Sequence, residues 1–292
     1  MNTVLSLFAG AGGFDLGARM AGLEVVASVE QNPIACATLA RNGFHPVQAD
    51  ATTLGYSQWA GVDLVMGGPP CQGHSIAAKN RSADDPRNAL VWEMVRAARE
   101  TEARHVLIEN VQTFDADLLG EVCAALVQLG YWVGSQVLNA ADYGVPQTRR
   151  RRFIRASREM VAAWPEPTHR GRYVSINTAL TGLEFRDMPL PTWLLEKGVL
   201  PEWRLVDAQN KNKYGPQGRT GGQPGPTMIG GSYYHRVRRT DGSYGALGPE
   251  GMARFQTFPD SYEFSGNRVD MGLQIGNAVP PLLAQALLSG IA

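Results

Sequence analysis

A cysteine in a stiff, polar loop is the residue of this chain best suited to nucleophilic chemistry. Cys71 lies in the run 67–75, Gly-Gly-Pro-Pro-Cys-Gln-Gly-His-Ser, directly after the apolar stretch 62–66. That stretch predicts a buried strand of a parallel sheet, and open α/β sheets bind ligands on the loops after such strands. Pro69 and Pro70 restrict the backbone that leads into the cysteine. A thiol attacks as its thiolate in a partly exposed, electropositive setting, so we interpret Cys71 as a nucleophile rather than as a buried apolar side chain.

A glycine-rich turn near the amino terminus predicts a nucleotide-like ligand. The apolar run 3–8 opens into 9–14, Ala-Gly-Ala-Gly-Gly-Phe, and a helical pattern follows. A strand, a glycine turn and a helix bring backbone amides close to a ligand. Glu30 ends the next predicted strand, where a carboxylate suits a ribose diol, and Asp50 ends the third as a candidate partner for an adenine amino group. Asp15 replaces the third glycine of the dinucleotide fingerprint, which argues against a nicotinamide cofactor.

The charged residues balance, but the arginines cluster. With 27 basic and 27 acidic side chains the formal net charge is zero, so bulk electrostatics does not predict a nucleic-acid partner. The run 149–152 is all arginine, and Arg236, Arg238 and Arg239 form a second group. A run of arginines is most often a solvated face, yet two such groups in a near-neutral chain favour a localised phosphate-binding surface.

The three cysteines, Cys36, Cys71 and Cys123, include no C-x-x-C pair. The sequence therefore indicates neither a disulfide framework nor a zinc site, and we expect no metal. Cys36 and Cys123 lie in helical patterns and are expected in the core. No apolar run reaches the length of a membrane span, and the amino terminus has no signal-peptide pattern. We expect an intracellular protein, cytoplasmic and nucleoid-associated, without a membrane partner.

Strands alternate with helices up to about residue 160, which predicts a doubly wound, mainly parallel α/β sheet. From Trp164 onward proline and glycine become frequent and helical periodicity fades, so a second, smaller and irregular domain is expected. The predicted parts are a cofactor-binding catalytic domain of 1–161 with 272–292, a second domain of 162–245, and a hinge or support segment of 246–271.

Five motifs, in matching order and spacing, resemble those of the cytosine carbon-5 DNA methyltransferase family, and the resemblance runs nearly end to end. They are 6–14 for the cofactor loop, 67–75 for the catalytic loop, 109–111 for the acid motif, 147–151 for the Q-x-R-x-R motif and 274–279 for the closing motif. The resemblance implies a Rossmann-like methyltransferase fold in which 162–245 is a target-recognition domain. It also implies S-adenosyl-L-methionine as methyl donor and S-adenosyl-L-homocysteine as product.

The resemblance further implies covalent catalysis on cytosine. Cys71 would add to carbon 6 of the ring, Glu109 would contact nitrogen 3, and Arg151 would hold the carbonyl oxygen and favour the thiolate. The target nucleotide would leave the duplex stack so that both faces of the ring can be reached. The sequence does not identify the base that removes the carbon-5 proton. The implied catalytic set is completed by Pro70, Asn110 and Arg149.

Cofactor and DNA contacts follow from the same resemblance. Phe8 would pack on the adenine, Glu30 would bind the ribose and Asp50 the adenine amino group. The remaining implied cofactor contacts are Ala9, Gly10, Gly12, Gly13, Phe14, Pro70, Leu90, Asn277 and Ala278. The implied DNA contacts are Gln72, Arg87, Gln147, Arg149, Thr227, Arg238 and Arg239. The expected partner is double-stranded DNA, bound by a monomer that is either paired with a cognate restriction endonuclease or solitary.

A few positions depart from the family pattern. Ser6 stands where many members have aspartate. In the motif that supports the second domain, Glu250 and Gly251 replace an Arg-Glu pair and Thr257 replaces a glycine, while Arg254 is retained. We therefore expect altered recognition or stability with the catalytic residues intact.

Three other interpretations stay open at this point. The RNA-modifying branch of the family uses the same cysteine chemistry on transfer RNA, although the tail 73–75, Gly-His-Ser, favours DNA. A catalytically silent DNA-binding relative is suggested by the altered pair at 250–251, but the intact catalytic residues argue against it. A nicotinamide-dependent oxidoreductase conflicts with Asp15 and with the lack of a hydride-transfer site.

Overall fold

The computed structural model describes residues 2–70, 90–160, 163–196, 198, 203–206 and 218–291. Cys71, Gln72 and Arg87 lie outside these described residues. Within the same ranges, no helix is long and apolar enough to cross a membrane.

The chain divides into two compact units. The first contains Met1–Asn139, Arg150–Glu166 and Leu283–Ala292, and the second contains Ala140–Arg149 and Pro167–Leu282. The sequence-based boundaries instead group 140–149 and 272–282 with the cofactor-binding domain, and those boundaries stay a prediction.

The first unit is built on a seven-stranded, mainly parallel sheet. Its strands are β1 (Thr3–Leu7), β2 (Glu24–Glu30), β3 (Pro46–Gln48), β4 (Leu64–Gly67), β5 (His105–Val111), β6 (Trp132–Asn139) and β7 (Arg150–Ser157). Their order is β3-β2-β1-β4-β5-β7-β6, and β7 runs antiparallel to both neighbours. β1, β4 and β5 are buried along most of their length, as is typical of parallel strands covered on both faces. The predicted doubly wound α/β class is confirmed.

Helices follow the strands, and the second and fourth begin at side-chain caps. The first four are α1 (Gly13–Met20), α2 (Pro33–Arg41), α3 (Val91–Thr101) and α4 (Ala116–Gln128). The Asn32 side chain accepts from two amides of the first turn of α2, and Pro33 takes its first helical position. The Asp115 carboxylate caps α4 by accepting from the amide of Leu118. The glycine turn lies between β1 and α1, and Glu30 and Glu109 lie at or near the ends of β2 and β5.

The second unit consists of short elements, as its proline and glycine content predicts. They are α5 (Ile176–Leu180), α6 (Thr192–Glu196), β8 (Trp203–Val206), β9 (Gly218–Thr220), β10 (Arg236–Arg238), β11 (Tyr244–Ala246), α7 (Gly248–Phe255) and α8 (Arg268–Asn277). Its antiparallel sheet has the order β11-β10-β8-β9. Asn267 and Asp270 form a capping box that starts α8. The last described helix is α9 (Pro281–Leu288), which begins at the boundary of the two units.

Thr257, which replaces a glycine of the family pattern, has a left-handed backbone with φ of 65°. This region costs an L-residue about 1–2 kcal/mol, a penalty that glycine does not have. The Thr257 hydroxyl accepts a hydrogen bond from the amide of Leu282 at 3.2 Å, which offsets part of that penalty. The substitution therefore keeps the turn but adds local strain.

Candidate active site

The ends of β4 and β5 bring Glu109 and Asn110 against the backbone that precedes Cys71. The two strands are parallel neighbours in the sheet. The Glu109 carboxylate lies so close to Gly68 that a Cβ there would stand 3.1 Å from Oε2. The Asn110 side chain donates to the carbonyl oxygen of Pro69 over 3.4 Å. Both side chains thus contact the backbone two and three positions before the cysteine.

Arg151 holds the Glu109 carboxylate in an ion pair. β7 is antiparallel to β5 and places Arg151 opposite Val111. Arg151 Nε lies 3.1 Å from Glu109 Oε1, and the exposed fractions of the two side chains are 18% and 12%. Partial burial weakens screening by water, so the guanidinium fixes the orientation of the carboxylate while part of it stays accessible.

Glu30 ties the glycine turn after β1 to the end of β2. It accepts from the amide of Gly10 through Oε2 and from the amide of Asn32 through Oε1, both at 2.8 Å. The Ala9 amide adds a hydrogen bond to the Val29 carbonyl oxygen at 3.1 Å. The predicted ribose carboxylate therefore orients the turn, and each of its oxygens has capacity for a further donor.

Phe8 has a left-handed backbone with φ of 53°, which is uncommon for a residue other than glycine. Its ring is half-buried and packs against the apolar core of the first unit. Strained conformations of this kind cluster at ligand sites. The strain supports the prediction that Phe8 contacts a ligand.

Asp50 lies exposed in the turn that follows β3. Its Oδ1 accepts from the amide of Thr52 at 2.9 Å and from the Thr52 hydroxyl at 2.8 Å. The amide hydrogen bond is the main cause that lowers the pKa of the Asp50 carboxyl, followed by the hydroxyl. Asp50 is thus an ionised acceptor in a defined turn, as an adenine amino group requires.

Arg96 on α3 stabilises the turn that contains Asp50. It donates to the carbonyl oxygens of Ala51 at 2.7 Å and Leu54 at 2.6 Å, and it pairs with Glu93 and Glu100 on its own helix. The sequence does not single out Arg96 as a site residue. The available signal is the spacing of three and four residues to its acidic partners.

Glu30, Asp50 and the glycine turn fit the adenosine part of S-adenosyl-L-methionine. Glu30 and Asp50 are acceptors, whereas ribose hydroxyls and an adenine amino group are donors. Gly10 has a φ of 55°, and a Cβ there would meet nothing within 4 Å, so the turn leaves space beside its backbone. Among the described residues, no group of three or more His, Cys, Asp or Glu side chains is placed to hold a metal ion.

Asp15 is a fully buried carboxylate next to the glycine turn. Its Oδ2 accepts from the hydroxyl of Ser6 at 3.0 Å, and its Oδ1 accepts from the hydroxyl of Ser28 at 2.5 Å. Burial raises the pKa of Asp15 from 3.8 to about 6, although the two hydroxyls and Arg19 act in the opposite direction. The sequence shows Asp15 only as a departure from the dinucleotide fingerprint and does not indicate this cluster.

Asp15→Asn is expected to change how stability depends on pH. The folded chain holds the Asp15 proton up to about pH 6, whereas the ordinary pKa is 3.8. Between these values the folded state binds more protons than the unfolded state, so the free energy of unfolding falls as pH rises. The loss is up to about 3 kcal/mol relative to the non-titrating variant. Urea unfolding of both proteins at several pH values from about 4 to about 8 measures this loss. A difference between them that stays constant with pH would contradict the expectation.

Gln147 and Arg149 lie inside the second unit. The buried Gln147 amide donates to the Phe255 carbonyl at 2.6 Å and to Gln256 Oε1 at 2.8 Å, and it accepts from the Met228 amide at 2.9 Å. Arg149 is 1% exposed and donates to the Met228 carbonyl at 2.9 Å. Such burial favours a supporting role for both side chains. Their DNA contacts, and the catalytic role of Arg149, stay predictions.

The other predicted contacts are distributed over both units. In the second unit, the half-buried Thr227 donates to the carbonyl of Thr148 at 2.7 Å. Asn277 is the exposed last residue of α8, and the buried Ala278 is its C-cap. The first unit contains Ala9, Gly10, Gly12, Gly13, Phe14, Pro70 and Leu90.

Arg238 and Arg239 have different surroundings in the structure. Arg239 pairs with Asp187 at 2.7 Å and donates to the Ser243 hydroxyl at 2.9 Å, so it is engaged in the second unit itself. Arg238 lies half-buried on β10 close to Arg204. Burial, and then the charge of Arg238, lower the pKa of Arg204. The two neighbouring guanidinium groups concentrate positive charge as a phosphate contact requires.

Arg238→Ala is therefore expected to reduce the slope of log affinity against log salt by about one, because one phosphate contact is lost. Arg239→Ala, as the matched control, should leave that slope unchanged and lower stability by roughly 1 kcal/mol through its lost contacts. Fluorescence anisotropy with duplex DNA at several salt concentrations measures the slopes. Identical slopes for wild type and Arg238→Ala would show that Arg238 does not touch phosphate.

The chain has a Rossmann-like doubly wound fold, with a glycine turn after β1 and an acidic residue at the end of β2, where such folds bind nucleotide-like ligands. It matches the C-5 cytosine-specific DNA methylases over 2–187 and 208–292, and it belongs to that family. The enzyme is thus a DNA cytosine-5 methyltransferase. Membership of the family implies S-adenosyl-L-methionine as the methyl donor and DNA as the substrate.

Similar proteins cover nearly the whole chain. Type II methyltransferase M1.HphI of Haemophilus parahaemolyticus is 34% identical over 328 residues, which span 99% of this chain and 86% of that protein. Type II methyltransferase M.NgoMIV of Neisseria gonorrhoeae is 33% identical over 314 residues, 98% of this chain and 95% of that protein. The structure of S. pombe Dnmt2 methyltransferase matches with a TM-score of 0.78 at 18% identity, covering 99% of this chain and 98% of that one. This last likeness shows a common fold.

Proposed function

We propose that this enzyme methylates carbon 5 of a cytosine in a specific duplex DNA sequence through a covalent adduct between Cys71 and carbon 6. The Glu109–Arg151 pair carries the proposal, because it packs against Gly68, three residues before Cys71. A carboxyl group and a guanidinium at the backbone that leads to a cysteine suit a pyrimidine. Ring nitrogen 3 accepts from an acid, and the ring carbonyl accepts from an arginine.

Addition to carbon 6 activates a ring carbon that is otherwise a weak nucleophile. The Cys71 thiolate forms a bond to carbon 6, and the displaced electron pair is delocalised toward nitrogen 3, which takes up the proton of Glu109 in its neutral acid form and leaves the carboxylate. Arg151 orients Glu109 and offers its cation to the carbonyl oxygen. Bound S-adenosyl-L-methionine supplies an electrophilic methyl group to carbon 5. A base then removes the carbon-5 proton, and the bond between Cys71 and carbon 6 breaks to restore the thiolate and the ring.

The cofactor and DNA contacts complete the proposal. Phe8 contacts the adenine, Glu30 the ribose and Asp50 the adenine amino group. Flipping the target nucleotide costs a few kcal/mol, which phosphate contacts such as that of Arg238 offset. The type II names of the similar proteins support a role in restriction and modification, in which a monomer inside the cell protects DNA from a cognate endonuclease.

Bisulfite sequencing tests the proposal directly. A host without cytosine methylation expresses the chain, and its total DNA is sequenced beside DNA from cells that express Cys71→Ala. We expect protected cytosines in one short sequence context with the wild type and none with the variant. Abundant folded wild-type protein with no protected cytosine would contradict DNA methylation, and tritium transfer to transfer RNA would then identify the RNA-modifying alternative.

A further inference from the structure

A closed cluster of Ser6, Asp15 and Ser28 joins three elements of the first unit. Ser6 on β1 and Ser28 on β2 are register partners in the parallel sheet, so their side chains leave the same face. Asp15, in the first turn of α1, gives one carboxylate oxygen to each hydroxyl. All three residues are 0% exposed. Displacing either serine would leave one buried oxygen of the carboxylate without its hydroxyl donor, so the cluster acts as a fixed junction.

Each member of this junction lies close in sequence to a proposed cofactor contact. Ser6 stands two residues before Phe8, Ser28 stands two residues before Glu30, and Asp15 follows the glycine turn directly. Strand and helix backbones are stiff over so short a distance. A shift at the junction therefore moves the aromatic ring, the ribose carboxylate and the turn relative to one another.

The hydrogen bond between Glu30 and the glycine turn makes the cofactor contacts depend more strongly on the position of the junction. Glu30 Oε2 reaches the Gly10 amide at 2.8 Å, and the Ala9 amide reaches the Val29 carbonyl oxygen at 3.1 Å. Both contacts need β1 and β2 in one mutual register beside the turn. The Asp15 carboxylate bridges the two strands on the side where α1 begins.

We propose that Asp15 is a positioning residue for S-adenosyl-L-methionine, whose carboxylate sets the glycine turn and Glu30 in place through Ser6 and Ser28. The inference rests on the proposed cofactor site. Asp15 has no exposed surface, so it acts through these two serines and not by contact with the cofactor. Because Ser6 and Asp15 touch, a carboxylate at either position serves the junction.

An exchange of the two side chains tests the proposal. Asp15→Ser removes the carboxylate and is expected to raise the Kd and the KM for S-adenosyl-L-methionine about tenfold, with kcat within about twofold. The double variant Ser6→Asp with Asp15→Ser returns one carboxylate and one hydroxyl to the same contact. We expect it to restore the Kd to within about threefold of the wild type. Isothermal titration calorimetry gives the Kd, and Tm is measured in parallel.

Thr101→Val is the matched structural control. The Thr101 side chain is also fully buried in the first unit and donates to the Ala97 carbonyl at 2.7 Å. Losing this hydrogen bond should lower Tm without changing the Kd. An unchanged Kd in Asp15→Ser, a Kd that the exchange fails to restore despite a restored Tm, or an equal rise in Thr101→Val would each overturn the proposal.

Two further measurements keep the result unambiguous. If Asp15→Ser does not fold, Asp15→Asn, which preserves the side-chain shape, is judged by the same rise in Kd. A wild-type enzyme that binds no S-adenosyl-L-methionine would overturn the cofactor assignment together with the inference. That failure is distinct, because it appears before any substitution is made.

Discussion

Cys71→Ala is expected to lose methyl transfer to DNA by roughly 10⁴-fold or more, because the reaction then has no nucleophile for carbon 6. Binding of S-adenosyl-L-methionine should stay within about twofold of the wild type, since its proposed contacts are on other residues. Transfer of a tritiated methyl group to a duplex substrate gives the rate, and calorimetry gives the binding.

Cys36→Ala and Cys123→Ala are the matched controls. Burial raises the pKa of both thiols, and Cys36 donates to the Glu30 carbonyl at 3.3 Å, so neither is poised as a thiolate. Each control should keep full activity. Methylation that persists in Cys71→Ala, or that is abolished in one of the controls instead, would move the nucleophile to another cysteine.

Local patterns predict the parts of the site that depend on neighbouring residues. The apolar run that becomes β1, the glycines after it and Glu30 at the end of β2 all lie within the first 30 residues of the chain. Strands of a parallel sheet that are buried on both faces appear in the sequence as apolar runs. The same rule predicts β5 and therefore the edge of the sheet on which Glu109 lies. The doubly wound sheet was predictable for this reason.

Burial and long-range partners were not predictable in the same way. Gln147 and Arg149 belong to a motif whose residue types suggest contact with phosphate, but their partners lie as much as 109 positions away, at Gln256. A run of arginines indicates local positive charge, but it does not indicate which of the side chains are exposed. Arg149 is almost fully buried, whereas Arg151 two residues later is part of the proposed active site.

The junction of Ser6, Asp15 and Ser28 was likewise not predictable from the sequence. Ser6 and Ser28 are ordinary strand residues in the sequence, and only the parallel register of β1 with β2 brings them together. In the same way, nothing in the pattern of residues 236–239 distinguishes Arg238 from Arg239. The acidic partner of Arg239, Asp187, is remote in sequence and comes from another part of the second unit.

Glu109→Gln is expected to lower the rate of methyl transfer by about 10²–10⁴-fold, the range for loss of a general acid. Glutamine keeps the size of the side chain, so its packing against Gly68 is retained and its oxygen still accepts from Arg151. An amide can offer a hydrogen bond to nitrogen 3 of the ring but cannot transfer a proton to it. The expected loss therefore reports proton donation rather than disruption of the fold.

A single-turnover experiment isolates this step. Enzyme in excess over a duplex that contains one target cytosine is mixed with labelled cofactor, and the rate of label transfer is followed for the wild type, Glu109→Gln and Glu121→Gln. Glu121 is an exposed carboxylate on α4, so its substitution should leave the rate unchanged. A slow Glu109→Gln with an unaltered Tm and cofactor Kd places the defect in the chemical step. A Glu109→Gln rate within a few-fold of the wild type would instead mean that nitrogen 3 receives its proton from another donor, and the Glu109–Arg151 pair would then only shape the pocket.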